Sequence, residues 1–423
     1  MRRNIFVLGL EEHNLATLED LPDADRYAFH RLLTVAELQQ GDEIPIEHLF
    51  DKALRQLEAF DATIDAIVGY WDFPISSMVP MLNDRVGLRS ASLESVLKCE
   101  HKYWSRLEQS KVIDEHPRFA LVDLDGEPER PDLDYPFWVK PVKSFSGELA
   151  FRVDDDHSFH DAVRTIRDGI DRVASPFEWV LDRADLPPEI AEVGGRACLA
   201  EESIDGHQVT IEGYSLDGAV ETYGAIDSLC YPDSPSFLRF QYPSRLPAGV
   251  IERMNQVSGA VIRQVGLDAS TFNVEFLWDA ETDDLRLLEV NPRHSQSHAH
   301  LFADVDGAAN HKVMVDLALG SRPRLPRREG PYEVAAKWFL RRFADGLVTR
   351  SPTPDEVAAV ESEIPGVVVH LVAEEGDRLS QLYDQDSYSY KLANIYVGAA
   401  DEEELAAKYE RCVVALPFAF DEE

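Results

Sequence analysis

The sequence predicts a fold of the α/β and α+β classes, with a Rossmann-like parallel sheet first and an α+β cap last. Three observations predict it. An apolar strand, an amphipathic helix and a second strand follow one another near the N-terminus. Two acid-bearing strands precede residue 300, and strand and helix patterns resume beyond residue 331. The chain has 423 residues, 44% of them hydrophobic, which is enough for about three domains.

The N-terminal domain is predicted over residues 1–95. Residues 4–10 (NIFVLGL) form a continuous apolar run, which is typical of a strand buried on both faces of a parallel sheet. Apolar residues near three- and four-residue spacing predict a helix over 46–60, and residues 66–70 (AIVGY) predict the next strand. No G-x-G-x-x-G follows the first strand, so a dinucleotide site is not expected there.

The middle domain is predicted over residues 96–330. A helix is expected through 92–109, and residues 137–140 (FWVK) predict a strand that ends in a lysine. Residues 176–196 are predicted to be an irregular surface segment. The other predicted elements are strands at 151–153, 197–201, 208–214, 219–226, 271–278 and 285–290, and helices at 158–173 and 247–265.

A C-terminal subdomain is predicted over residues 331–423, after a basic, proline-rich linker at 323–331. Its predicted elements are strands at 332–343, 367–371 and 395–397 and an acidic helix at 401–416.

The two strands before residue 300 carry the strongest chemical pattern. Alternation places Glu275 on one face of the first strand, and Glu289 and Asn291 on one face of the second. If the strands pair antiparallel, these side chains converge, and their oxygens are hard ligands suited to Mg²⁺ on nucleotide phosphates. Arg293 could meet an anionic group from the same face. The alternative is a plain hairpin with exposed acids.

A lysine beside a serine- and glycine-containing loop forms a second pattern. Lys140 precedes residues 141–147 (PVKSFSG), whose backbone N–H groups could hold terminal phosphates while the lysine pairs with a phosphate. Residues 200–206 (AEESIDG) offer acceptors and exposed backbone at a strand end, as an adenine edge requires. A solvated lysine and an acidic turn are the alternatives.

In this order the motifs resemble the ATP-grasp superfamily, whose members bind Mg-ATP between two α+β subdomains and mostly join a carboxylate to an amine. The resemblance covers about residues 92–300. It rests on a helix lysine, the strand-end lysine with its loop, E-E-x-x-x-G, a strand acid and E-x-N-P-R, here EVNPR at 289–293. The length and C-terminal region look most like the L-amino-acid ligase and carnosine synthase group.

The resemblance implies a role for each matching position. Glu201 and the backbone beyond Glu202 would hold the adenine, and Gln208 stands where the family usually has a ribose-binding glutamate. Arg293 would steady the acyl phosphate as a catalytic residue, together with Lys140. The implied nucleotide-binding residues are Lys102, Lys140, Ser144, Ser146, Gly147, Glu201, Glu202 and Gln208. The implied ligands of one or two Mg²⁺, or of Mn²⁺, are Glu275, Glu289 and Asn291.

The implied activity is an ATP-dependent carboxylate–amine ligase that forms an acyl phosphate and then an amide. Because an acyl phosphate hydrolyses in water, a mobile lid is expected, and residues 133–205 are the candidate. Biotin-carboxylase-like carboxylation is an alternative, weakened by the lack of a biotin-carrier Met-Lys-Met, and a non-catalytic ATP-binding regulator is another. Residues 294–300 (HSQSHAH) lie where the acyl or acceptor substrate should sit, so their histidines are expected to contact substrate or to pack.

Composition indicates which partners to expect. With 41 Lys+Arg against 78 Asp+Glu, the net charge of −37 disfavours nucleic acid and anionic membrane surfaces. A local cluster of positive charge would attract small carboxylate substrates, and amine substrates would meet them there. Its members would be Lys102, Lys140, Lys143 and Arg293. No run of eighteen apolar residues and no C-x-x-C pair occurs, so a cytoplasmic protein is expected. Because relatives are commonly dimers, a homodimer is a further expectation.

Overall fold

The computed structural model describes residues 2–41, 43–124, 126–144, 147–383, 385–386 and 388–421. Within these residues the chain forms seventeen strands and fourteen α-helices. The strands are β1 (Arg3–Leu8), β2 (Tyr27–Leu32), β3 (Ala66–Val68), β4 (Phe119–Val122), β5 (Phe137–Pro141), β6 (Phe151–Val153), β7 (Cys198–Glu202), β8 (His207–Leu216), β9 (Ala219–Cys230), β10 (Phe237–Tyr242), β11 (Ser270–Trp278), β12 (Leu285–Asn291), β13 (Val334–Arg342), β14 (Val348–Arg350), β15 (Val367–Leu371), β16 (Tyr390–Ala399) and β17 (Ala419–Phe420). The helices are α1 (Glu12–Glu19), α2 (Val35–Gln39), α3 (Ile46–Glu58), α4 (Ile75–Val86), α5 (Leu93–Glu100), α6 (Lys102–Gln109), α7 (Asp156–Gly169), α8 (Asp171–Leu181), α9 (Pro188–Val193), α10 (Ala248–Val265), α11 (Ala299–Asp306), α12 (His311–Ala318), α13 (Pro354–Glu363) and α14 (Glu402–Ala415).

The N-terminal region contains the expected parallel sheet, with strand order β2-β1-β3. Its two predicted strands are β1 and β3, whose side chains are largely buried. The strand β2 was not predicted, because its sequence YAFHRL lacks a continuous apolar run. The predicted helix at 46–60 is α3, which buries its apolar face against this sheet.

A four-stranded antiparallel sheet, β4-β7-β5-β6, carries Lys140 and Glu201. We call it the lid sheet, because three of its strands, β5, β6 and β7, lie within the segment 133–205 that is predicted to be a lid. The prediction that residues 176–196 are irregular was wrong, because α8 and α9 occupy most of them. Pro176 lies inside α8, but Phe177 and Ile190 pack into the N-terminal core, and this burial outweighs the poor helix propensity of proline.

The central sheet has eight antiparallel strands in the order β12-β11-β8-β9-β10-β13-β16-β15. The expected α+β character of the C-terminal region is confirmed, and its strands β13, β15 and β16 extend this sheet through β10. One face of the sheet packs against α10 and α14, and the other carries the polar residues described below. Within the described residues, no helix combines the length and apolarity that crossing a membrane requires.

The predicted single helix over 92–109 is two helices, α5 and α6, and this break positions Lys102. His101 lies between them with extended backbone, and its Nδ1 accepts a hydrogen bond from the N–H of Trp104 at 3.3 Å. Its other ring nitrogen donates to the carbonyl of Gly194 at 2.9 Å. A buried capping histidine therefore ends one helix and begins the next, so that Lys102 is the first residue of α6.

Candidate active site

The β11–β12 hairpin brings the predicted metal-binding residues together. Glu275 lies directly opposite Glu289, and Asn273 lies opposite Asn291. The Nδ2 of Asn291 donates to Oδ1 of Asn273 at 3.0 Å and to Oε1 of Glu275 at 3.3 Å. The antiparallel pairing on which the prediction depended is therefore confirmed, and the side chains share one face of the sheet.

The carboxylates of Glu275 and Glu289 face each other, and their charges would repel. The neighbouring cations stabilise the charged form of Glu289 more than that of Glu275. Lys102 donates to Oε1 of Glu289 at 2.7 Å and to the backbone oxygen of Ser144 at 3.1 Å. Burial opposes ionisation of Glu289, but Lys102 and Lys140 outweigh it and lower its pKa. Burial and the charge of Glu289 raise the pKa of Glu275 to about 7.

These residues fit a divalent cation, because an ion between the two carboxylates would remove their repulsion. Carboxylate and amide oxygens are the ligands that Mg²⁺ prefers. Among the described residues, no group of three His, Cys, Asp or Glu side chains is arranged to hold a metal ion. The ligand set that the sequence predicts has two carboxylates, Glu275 and Glu289, and takes its third oxygen from the amide of Asn291.

Lys140 and Glu201 form a buried ion pair inside the lid sheet. The Nζ of Lys140 lies 2.6 Å from Oε2 of Glu201, and Nε of Arg106 donates to Oε1 at 2.7 Å. Burial opposes ionisation, but the two cations lower the pKa of Glu201 to about 2. Arg106 also donates to the carbonyls of Leu287 and Leu288, where a β-bulge interrupts the hairpin register. One guanidinium thus links α6, β7 and β12.

Arg293 pairs with an aspartate of the N-terminal region. Its Nε and Nη2 donate to the two carboxylate oxygens of Asp72, at 3.2 and 2.6 Å. Asp72 follows β3 at the carboxyl end of the parallel sheet, where open α/β sheets commonly bind ligands. Burial opposes both charges, but the pairing lowers the pKa of Asp72 and raises that of Arg293. The N-terminal sheet therefore contributes directly to the site.

A buried glutamate organises the segment after Arg293. Both oxygens of Glu212, on β8, are engaged: Oε1 accepts from the N–H of Ser295 at 3.0 Å and lies 2.7 Å from Nδ1 of His298. The other oxygen accepts from the hydroxyl of Tyr223 at 2.7 Å and from Nδ2 of Asn310 at 2.9 Å. Glu212 is fully buried, so this network sets the path of the chain beyond the site.

The histidines of residues 294–300 have separate surroundings. His294 is fully buried, 3.2 Å from Oγ1 of Thr271 and 2.8 Å from Nδ1 of His311. His298 is held by Glu212, so packing accounts for both. His300 instead lies beside Tyr396, with ring centroids 4.4 Å apart.

The other predicted nucleotide-binding residues differ in their surroundings. Gln208 donates to Oε2 of Glu275 at 3.0 Å, which places it within the site. Gly147 has a φ of +73° and open space beside its Cα, as a backbone that approaches a ligand requires. The carboxylate of Glu202 accepts from the N–H and Nε of Arg118, at 2.9 and 3.1 Å. Ser146 lies outside the described residues.

Lys143 is engaged away from the acids of the hairpin. It is 4% exposed, its Nζ lies 3.4 Å from Oε2 of Glu100, and it stands over the ring of Phe73. The sequence predicted that four cations would cluster. Three of them, Lys102, Lys140 and Arg293, pair with carboxylates of the site, whereas Lys143 pairs with a separate carboxylate.

Sequence reasoning missed three residues of the site: Asp72, Arg106 and Glu212. Each carried a local signal. Asp72 follows a predicted strand of the parallel sheet, and Arg106 stands four residues after Lys102 on the same helix face. Glu212 is the one charged residue of the predicted strand at 208–214.

Sequence comparison links the chain to carbamoyl phosphate synthases. The family model described as "Carbamoyl-phosphate synthase L chain, ATP binding domain" matches residues 243–324. The carbamoyl phosphate synthase large chain of Arthrobacter sp. (strain FB24) is 38% identical over 69 residues, which are 16% of this chain and 6% of that protein. The same enzyme of Rubrobacter xylanophilus is 26% identical over 240 residues, 56% of this chain and 21% of that protein. The chain therefore matches a small part of these longer relatives.

Solved structures match across nearly the whole chain. The L-amino acid ligase from Bacillus licheniformis has a TM-score of 0.72 and 16% identity, covering 100% of this chain and 99% of that one. The biotin carboxylase from Campylobacter jejuni has a TM-score of 0.69 and 14% identity, covering 99% and 92%. The phosphoribosylglycinamide synthetase from Anaerococcus prevotii has a TM-score of 0.65 and 13% identity, covering 100% of both chains. At these identities the likeness establishes the fold.

Proposed function

From the ATP-grasp fold that this chain has, we propose an ATP-dependent carboxylate–amine ligase that activates a small carboxylic or amino acid as an acyl phosphate. A carboxylate is a poor electrophile, because its oxygen is a poor leaving group. In the proposed reaction a carboxylate oxygen attacks the γ-phosphorus of ATP and ADP leaves. The amine then attacks the carbonyl carbon, phosphate leaves, and the amine nitrogen loses a proton. The products are an amide, ADP and phosphate.

One observation carries this proposal: the cations of the site are paired with carboxylates. The phosphates of a bound metal–nucleotide complex would compete with those carboxylates for the cations. Lys102 and Lys140 lie on Glu289 and Glu201, and Arg293 lies on Asp72. Phosphate oxygens can replace carboxylate oxygens as the acceptors of these cations. All three interact with one carboxylate: Lys102 and Lys140 lower the pKa of Glu289, and the charge of Glu289 contributes to the raised pKa of Arg293.

The residues have separate roles in the proposed reaction. Lys102 and Lys140 bind the α- and β-phosphates and offset their charge, while Arg293 stabilises the charge that develops on the carbonyl oxygen when the amine attacks. Mg²⁺, when bound, supplies neutralisation of phosphate charge, and Glu275, Glu289 and Asn291 would hold it. The lid sheet would exclude water from the acyl phosphate. Most of the catalysis is therefore positioning and electrostatics.

The test is the fate of the nucleotide. The protein is incubated with ATP, Mg²⁺, hydroxylamine and pools of amino and other small carboxylic acids, and the nucleotides are separated. We expect ADP, phosphate and a hydroxamate with particular acids. Formation of AMP would refute the acyl-phosphate mechanism, and ADP release that needs bicarbonate and consumes no amine would indicate carboxylation instead.

Replacing Glu289 with glutamine tests the site assignment. The substitution removes a charge from the metal-binding set and the partner of Lys102, so we expect turnover to fall by about 100-fold or more. Glu252→Gln, an exposed change on α10, is the matched control and should retain wild-type turnover. Near-normal ADP release by Glu289→Gln would show that the chemistry lies elsewhere.

A further inference from the structure

Lys143, in the loop that follows β5, has no role in the proposed reaction, yet its ammonium is enclosed by protein. The side chain is 4% exposed, and its Nζ lies 3.4 Å from Oε2 of Glu100. The same oxygen accepts a hydrogen bond from Oγ of Ser77 at 2.7 Å. The Nζ also lies 5.4 and 5.8 Å from the ring centroids of Phe73 and Phe177. We call these five residues the Lys143 anchor.

Burying the ammonium of the Lys143 anchor is unfavourable, and its partners offset that cost. Lysine is almost never fully buried unless it is paired, because burial removes the ammonium from water. Here the carboxylate of Glu100 supplies the opposite charge, the hydroxyl of Ser77 holds that carboxylate in place, and the two aromatic rings attract the cation. An apolar side chain could fill the same space without any loss of hydration. Stability alone therefore does not account for a lysine at this position.

The Lys143 anchor joins the loop after β5 to other parts of the chain. Ser77 belongs to α4 and Phe73 precedes that helix, so both lie in the N-terminal region. Phe177 belongs to α8, and Glu100 is the last residue of α5. The anchor therefore holds one residue of the loop against α4, α5 and α8.

The residues on either side of Lys143 are held by Lys102. The N–H of Lys102 donates to the carbonyl of Val142 at 2.8 Å. Its Nζ donates to the carbonyl of Ser144 at 3.1 Å. Because Glu100 and Lys102 are separated by one residue, three consecutive residues of the loop are bound by one short stretch of chain. The junction between α5 and α6 therefore fixes the start of the loop.

The position of this loop matters because its backbone is expected to hold phosphates. Lys140, just before the loop, and Lys102 are the proposed partners of the α- and β-phosphates. Gly147, further along the loop, has a φ of +73° and open space beside its Cα. Backbone N–H groups that are already in place when a phosphate arrives bind it with a smaller loss of conformational entropy. Lys143 is enclosed and does not offer its charge to a ligand, so it can act on the nucleotide only by holding the loop.

We propose that Lys143 is a positioning residue: its buried pairing with Glu100 holds the loop where the loop N–H groups meet the terminal phosphates of the nucleotide. This inference rests on the ATP binding of the proposed function and adds a residue that acts without touching ATP. Affinity for the terminal phosphates should therefore depend on the Lys143 anchor. Affinity for the adenosine end should not, because that end is assigned to other residues, Glu201 and Gln208.

The test compares two nucleotides that differ in their phosphates. Dissociation constants of adenylyl imidodiphosphate, a non-hydrolysable ATP analogue, and of AMP are measured with Mg²⁺ for the wild type and its variants. In Lys143→Met we expect the constant for the ATP analogue to rise about 10-fold and that for AMP to change by less than about twofold. Lys143→Arg keeps a charge for Glu100 and should lie closer to the wild type. Lys52→Met, which removes an exposed lysine of α3 from its pair with Glu37, is the control and should match the wild type.

Glu100→Gln tests the same ion pair from its other side. It should also weaken binding of the ATP analogue. The double variant with Lys143→Met should bind it no more weakly than the weaker single variant, because one interaction is lost in all three. A loss of folding stability alone would lower the folded fraction for both nucleotides alike and leave the ratio of their dissociation constants unchanged.

The outcomes separate this inference from the proposed function. An unchanged ratio of the two dissociation constants in Lys143→Met would overturn the positioning role and leave the proposed function in place. If that variant does not fold, an unchanged ratio in Glu100→Gln overturns it equally, and fully additive effects in the double variant would contradict it as well. Wild-type protein that binds the ATP analogue no better than AMP would instead refute the phosphate-binding role in the proposed function itself.

Discussion

Replacing Asp72 with asparagine should release Arg293 from the N-terminal region and lower both stability and turnover. Removing one partner of a fully buried ion pair costs about 3–5 kcal/mol, whereas an exposed pair is worth about 0–1 kcal/mol. The side chains of Arg293 and Asp72 are 14% and 30% exposed, which places this pair between those limits. Asparagine keeps one acceptor, so we expect the free energy of unfolding to fall by about 1–2 kcal/mol.

Turnover in Asp72→Asn should fall by more than the loss of folding stability alone would cause. Glu275 and Glu289 already contribute to the raised pKa of Arg293, so both lie within its electrostatic reach. Without Asp72, the guanidinium is drawn towards these acids and away from the developing carbonyl charge. Small misplacements of catalytic groups cost up to about 100-fold, so we expect kcat to fall about 10- to 100-fold with little change in the KM for ATP.

Asp65→Asn is the matched control, because Asp65 also pairs with an arginine beside β3. Its carboxylate accepts from Arg3 at 2.6 Å and from the N–H of Asn4 at 2.9 Å, away from the site. Urea unfolding followed by tryptophan fluorescence measures stability, and ADP release measures turnover. The reasoning fails if Asp72→Asn turns over within twofold of Asp65→Asn, because the ion pair would then have no part in positioning Arg293.

Two further predictions concern the buried Arg106–Glu201 network. Glu201→Gln should lower the free energy of unfolding at neutral pH by on the order of 3 kcal/mol, because the pKa of this carboxyl falls from 4.5 to about 2 on folding. This stabilisation is fully present above about pH 4.5 and is lost as the pH falls towards 2, so the wild-type advantage in urea should shrink between pH 6 and pH 3; a constant difference would contradict it. Arg106→Met removes the donors to Glu201 and the bulge carbonyls and should cost about 3–5 kcal/mol in urea unfolding. The exposed Arg183→Met should change stability by less than about 1 kcal/mol, and equal losses in the two variants would argue against the network.

Local patterns predicted the elements that carry most of the site, and failed where a tertiary contact overrode them. The alternation of residues 271–278 and 285–290 predicted the hairpin correctly, because a short turn and one buried face together determine register. The unbroken helix over 92–109 was wrong, because the capping contact of His101 to Gly194 joins residues far apart in the chain. The lid boundaries and the individual roles of the site residues stay predictions.

The sequence by itself determined the order of the chemical groups: a lysine in a helix, a lysine at a strand end, and acids on two strands followed by Asn291 and Arg293. It could do so because strand alternation and turn length depend on neighbouring residues. The tertiary structure alone decided which charges pair. Arg293 and Asp72 are 221 residues apart. Glu100 and Lys143 meet because α5 packs against the loop after β5, and no local pattern encodes the proximity and burial on which their ion pair depends.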